Sequence, residues 1–233
     1  FIPTEMVELE VSGLVVVSFP ANSLVDQNDD PATGTISAEL AIIDPSIDPD
    51  LMSGNYETII SGGAVGHIES LGALNVTFDD IAGNSYNLAQ DQTATIRIPL
   101  ASDATAQPNT ISLYYFDKKT GYWVQDGTAT LTSENGESYY EGTVSKMGTW
   151  SASIVYDQIL IKGCVRNSTG APVNLAEIQT QGVNYFGQTM AVSDAFGDFS
   201  IAAKSNSEVL LSGSTSRSAS RTATINTGVE DIN

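Results

Sequence analysis

Short strand-forming runs closed off by turn residues recur along the whole chain, and no apolar segment keeps helical spacing. Val7–Val11, Leu14–Phe19, Gly34–Ile42, Ala73–Phe78, Thr93–Ile98, Ser112–Phe116, Tyr122–Val124, Thr128–Leu131, Tyr139–Val144 and Trp150–Val155 are rich in Val, Ile, Thr and Tyr, which fit a pleated, half-buried surface. Asp29-Asp30-Pro31, Ser61-Gly62-Gly63, Ala82-Gly83-Asn84 and Glu134-Asn135-Gly136 lie between them. Such residues start turns or tolerate positive φ. This pattern restricts the chain to all-β architecture. The segment Asp44–Gly54 is the best place for a helical turn, and Pro45 and Pro49 limit it to about one.

The second half carries the same grammar more densely. Ile161-Lys162-Gly163-Cys164-Val165 alternates, Asn167-Ser168-Thr169-Gly170 turns, and Ala171-Pro172-Val173 and Ala176-Glu177-Ile178 follow. Ser193-Asp194-Ala195-Phe196-Gly197-Asp198-Phe199 closes the series: Asp194 caps a tight turn, Gly197 supplies positive φ and Phe199 returns to a core. These residues resemble the carboxypeptidase regulatory-like domain, with Ser193 where that family usually has Thr. The resemblance implies a transthyretin-like (prealbumin-like) Greek-key β-sandwich, an accessory module without chemistry of its own. A boundary is expected near Val155-Tyr156-Asp157-Gln158, giving domains 1–156 and 157–233. Alternation resumes at Arg221–Ile225, which predicts a last strand with a solvated edge.

The first half carries a resemblance as well. Val15-Val16-Val17-Ser18-Phe19-Pro20-Ala21-Asn22-Ser23-Leu24 looks like the opening of ZU5-like β domains, and Thr95-Ile96-Arg97-Ile98-Pro99-Leu100 like a later strand of them. Tyr114–Gly127, Tyr140–Ser145 and Gly148-Thr149-Trp150 are similar to a closing hairpin in the cartilage intermediate layer protein family. The likeness implies a ZU5-like β domain with a closing hairpin, placed outside the cell.

Charge narrows the partners. The chain has 28 acids and 9 bases, a formal net charge of −19. Residues 1–155 hold 21 acids against four bases (Arg97, Lys118, Lys119, Lys146), and residues 156–233 hold seven against five. Phosphate backbones and anionic headgroups are repelled by such a surface, so nucleic acid is not an expected partner. No apolar run reaches the roughly 20 residues of a membrane-spanning helix, so direct membrane insertion is not expected. The start, Phe1-Ile2-Pro3-Thr4, reads as that of a fragment or mature form.

Few residues suggest chemistry. One cysteine, Cys164, in an alternating run, reads as a buried inert thiol. The one histidine, His67, is followed by Ser70 at a spacing that does not give a self-cleaving His-x-Ser step. Trp123 and Trp150, on neighbouring strands, read as core. Tyr115, Tyr122 and Tyr139 alternate away from their neighbours and are the expected exposed rings for stacking on a sugar. Asp26-Gln27-Asn28-Asp29-Asp30 has the start of a calcium loop, but Pro31 and Ser37 stand where an EF-hand needs Gly and Glu. Asp26, Asn28 and Asp30 are thus the candidate calcium ligands, with a solvated hairpin tip as the alternative. The expectation is a non-catalytic structural or adhesive module of an exported, cell-surface or secreted bacterial-type protein, binding an extracellular protein or polysaccharide. A carbohydrate-binding accessory module is the alternative.

Overall fold

The computed structural model describes residues 1–216 and 218–233. They form nineteen strands and one 3-10 helix, Pro49–Leu51, so the chain is all-β with several sheets. The helix falls inside Asp44–Gly54 as expected, with Pro49 in its first turn and the Asp48 side chain accepting from the Asp50 N–H. The chain divides into two compact units. Unit 1 holds residues 1–53 and 70–154; unit 2 holds residues 54–69 and 155–233.

In unit 1 the strands run, side by side, in the order Val7–Val11, Leu14–Phe19, Ala94–Pro99, Glu137–Val144, Tyr122–Glu134, Thr110–Asp117 and Thr149–Val155. Ile36–Ile43 pairs antiparallel with residues 73–80 of the long strand Val65–Asp80. The sequence reading gave that strand only its end, Ala73–Phe78. Residues 66–74 are all buried, so the solvent-facing polar residues that mark alternation are missing. Tyr122–Glu134 is likewise one strand instead of two. Its register shifts between Gln125 and Thr128, where Gly127 adopts a φ of 101°, a bulge that reads in sequence as a turn.

Trp123 and Trp150 are both fully buried, with Nε1 donating to the Ser53 and Lys146 carbonyls at 3.0 Å each. Their strands are not neighbours, because Thr110–Asp117 lies between them. Trp123 stands opposite Phe116 and Trp150 opposite Tyr115, adjacent residues on that strand. The two indoles therefore occupy opposite faces of one sheet. At one end of the unit, Phe1, Phe19 and Phe78 close a ring of aromatic contacts at 5.3–5.7 Å between centroids.

Unit 2 has a two-stranded sheet, Gln158–Cys164 with Asp198–Lys204, and a five-stranded one. The latter is built on Glu177–Gly182 and Glu208–Thr215, flanked by Gln188–Val192, Ser218–Ala219 and Ala223–Asn226. The last of these is the exposed strand foreseen at Arg221–Ile225. Ile159, Ile161, Ile178, Ile201, Ala203 and Val209 form its buried core with Tyr156 and Tyr185, and Phe199 packs against them.

Candidate functional site

The acidic loops are locked by their own backbones. Asp26 Oδ1 accepts the N–H groups of Asn28 at 2.8 Å and Asp30 at 3.0 Å, while Asn28 Nδ2 donates to Asp26 Oδ2 at 3.2 Å. The loop turns through Asp29 at a φ of 64°. Those bonds hold the Asp26 carboxyl below its ordinary value, the Asn28 N–H contributing most. Of the expected calcium ligands, Asp26 thus has both oxygens engaged, and Asn28 turns its amide nitrogen toward it. Among the described residues no three His, Cys, Asp or Glu side chains gather as a metal site.

The same device recurs at other turns. Asp80 accepts from Asn84 and Ala82, Asp117 from Lys119 and Thr120, and Asp194 from Phe196 and Asp198. Asp44 ties two segments together, with Oδ1 taking the Ser46 N–H and hydroxyl and Oδ2 those of Ser102. Partial burial pulls the Asp44 carboxyl upward, but the Ser102 and Ser46 bonds outweigh it and leave it lowered.

The expected aromatic platform divides. Tyr139 is buried, 2 % exposed, which corrects its reading as an outward ring. The Arg97 guanidinium lies 5.0 Å over its ring, held by Glu141 at 2.8 Å and Glu134 at 3.0 Å, and the Tyr139 hydroxyl points at Glu134. Alternation assigned the correct face but not the cover that a long side chain supplies. Tyr115 and Tyr122 are half-buried and share a face. Tyr115 also packs on Trp150 at 5.3 Å, with Lys146 Nζ 4.4 Å over its ring.

Cys164 is exposed, not buried as expected. It is the last residue of the strand Gln158–Cys164, whose final residues Lys162, Gly163 and Cys164 are all exposed. His67 is 6 % exposed and lies opposite Glu57 in a strand pair. Its Nδ1 meets Gln158 Oε1 at 2.7 Å, and Tyr156 stacks on the ring at 6.2 Å. Ser70 bonds elsewhere, to the Ser151 hydroxyl at 2.8 Å.

Unit 2 also contains a polar cluster that sequence reading missed. Lys204 Nζ donates to Glu69 Oε2 at 2.6 Å and sits 5.2 Å over the Tyr185 ring. Tyr185 packs edge-on to Tyr156 at 5.5 Å. Their hydroxyls are buried without a well-aligned hydrogen-bond partner. Burial pushes the Tyr185 phenol up to about 12 and raises Tyr156 likewise. The one signal in the sequence was Glu69, a charge among the small and apolar residues of Ile68–Leu74, all of which the fold buries. The amine is held by a carboxylate and an aromatic face. Comparison with protein-family models, with curated proteins and with solved structures finds no match to this chain.

Proposed function

We propose that this chain is a non-catalytic structural or adhesive module of an exported, cell-surface or secreted protein of bacterial type. One observation carries the reading: the turn carboxylates of Asp26, Asp44, Asp80, Asp117 and Asp194 are bound to backbone N–H groups. Acids used in this way fix loop shape and present no reactive group. The excess of acids gives the surface a strongly negative net charge, which favours solubility in an external medium.

In this reading residues 1–156 are a ZU5-like β domain with a closing hairpin, and residues 157–233 a carboxypeptidase regulatory-like, transthyretin-like sandwich. The separate two- and five-stranded sheets of unit 2 support the second assignment. The Asp194 turn supports it too, with Gly197 at a φ of 82° and no room for a Cβ beside the Val165 carbonyl. The partner is an extracellular protein or polysaccharide. Protease shaving of intact cells of the organism that encodes it, followed by an antibody against this chain, tests the placement. Release of the antigen from whole cells or its recovery from the medium is expected. Protection until the cells are lysed would sink the reading.

A further inference from the structure

The strands Tyr122–Glu134 and Glu137–Val144 are joined by two residues, Asn135 and Gly136, with Glu134 paired to Glu137. Both loop residues have positive φ, 53° and 88°, the geometry of a two-residue hairpin turn that Asn-Gly adopts most readily. Residues 133–137 are all exposed, and a Cβ built on Gly136 would meet nothing within 4 Å. Among the described residues the Asn135 side chain forms no hydrogen bond, and the Gly136 N–H has no partner. A side-chain amide carbon and the next backbone nitrogen are thus both unengaged, and no side chain on Gly136 obstructs their approach.

Asn135 is the one asparagine in the sequence that precedes a glycine. The Asn–Ser steps come nearest to it, and the fold engages each of them. Ser23, which follows Asn22, is 1 % exposed. Asn84 Nδ2 donates to Asp80 Oδ2 at 2.8 Å. Asn167 Oδ1 accepts the Thr169 and Ala171 N–H groups at 3.0 Å each. Asn206 has a φ of 49°, close to that of Asn135, but the Ser207 N–H is bound to Thr227 Oγ1 at 2.8 Å.

We propose that Asn135-Gly136 is a self-modification site, at which the chain converts its own amide to an acid and lengthens its backbone. The Gly136 nitrogen attacks Asn135 Cγ and closes a five-membered succinimide, an intramolecular step favoured by proximity. The Cγ–Nδ2 bond breaks, and ammonia leaves with the former Gly136 amide proton. Water then opens the ring. Attack at Cγ gives an aspartyl residue; attack at the backbone carbonyl carbon gives an isoaspartyl one, whose main chain runs through Cβ and Cγ. A two-residue loop has no slack for the additional main-chain atom, so the register it fixes is lost from the tip inward. The new carboxylate falls between Glu134 and Glu137, and Glu134 is one of the two acids that hold Arg97 over Tyr139. The hairpin therefore loosens at its tip with age, while Glu141, deeper in the strand, keeps its hold on Arg97. The step depends on neither the family resemblance nor the placement of the protein.

Incubation of the full chain in heavy-oxygen water at neutral pH tests the proposal, read by mass spectrometry of its proteolytic peptides and by labelling with an isoaspartyl methyltransferase. Heavy oxygen and the label are expected in the peptide carrying Asn135. They should accumulate there about tenfold or more faster than in any Asn–Ser peptide, where a hydrogen bond or burial must first be undone. Asn135→Gln, whose longer side chain would have to close a larger ring, is expected to stay unlabelled. Amide hydrogen exchange should quicken in the aged chain at the rungs nearest the tip, Glu134–Glu137 and Thr132–Tyr139. Freshly prepared Asn135→Asp adds the charge without the backbone atom and should exchange there like the fresh chain. An intact Asn135, conversion no faster than at Asn206, or label at the tip of Asn135→Gln overturns the proposal. Unchanged exchange in the aged chain, or equal quickening in Asn135→Asp, overturns it as well, since the lengthened backbone would then have no effect on register.

Discussion

Gly72 shows how one residue constrains a strand. Its φ is +148°, and an added Cβ would stand 2.2 Å from the Pro99 carbonyl oxygen and 3.2 Å from Ile98 Cγ2. A backbone oxygen has no rotamer by which to withdraw. Gly72→Ala therefore combines a disfavoured backbone conformation with overpacking, and is expected to cost about 2–4 kcal/mol. Urea unfolding measures it, and a change below about 0.5 kcal/mol would show that the two strands separate without strain. Glu69 and Lys204 make the complementary point: their side chains are only 10 % and 30 % exposed, so each is tolerable because the other is there.

At the scale of the element, the acidic loop Asp26–Asp30 is a turn built before any ligand arrives. To bind calcium, Asn28 must reverse the amide that now donates to Asp26 Oδ2, while the Asp26 carboxylate already serves the Asn28 and Asp30 N–H groups. The expected outcome is that millimolar calcium leaves the melting temperature unchanged. A rise of several degrees, reversed by a chelator, would show that the loop opens and that Asp26, Asn28 and Asp30 serve as ligands. The hairpin carrying Tyr139 shows the same economy. Arg97 reaches across from the adjoining strand, binds two acids and covers the ring in a single placement.

The whole molecule responds to pH from both ends. The carboxyls of Asp26, Asp44, Asp80, Asp117 and Asp231 are all held below the ordinary 3.8. The unfolded chain takes up those protons first, so the stability they confer is complete above about pH 3.8 and lost as pH falls further. Tyr185 acts in the opposite direction. Its phenol keeps its proton up to about 12, whereas the unfolded chain releases it near 10, so stability declines as pH rises between those values. Phenolate absorbance of the buried tyrosines should thus appear together with loss of strand signal in circular dichroism. Ionisation of every tyrosine near pH 10 in a chain that is still folded would contradict the burial of Tyr156 and Tyr185.

Alternation, strand propensity and turn chemistry, all local properties, determined that the chain is all-β. They also placed Val7–Val11 and Leu14–Phe19, confined the helical turn near Pro49, built the Asp194 turn and put both tryptophans inside. Tertiary structure alone decided what depends on a second surface. It buried residues 66–74 on both faces and erased their alternation. It laid Arg97 over Tyr139 and paired Glu69 with Lys204 across 135 residues of sequence. It also left Cys164 exposed at the end of its strand. A period of two tells which face a side chain takes, because that follows from the backbone. Whether the face is then covered depends on chain segments remote in sequence, and no local pattern contains that information.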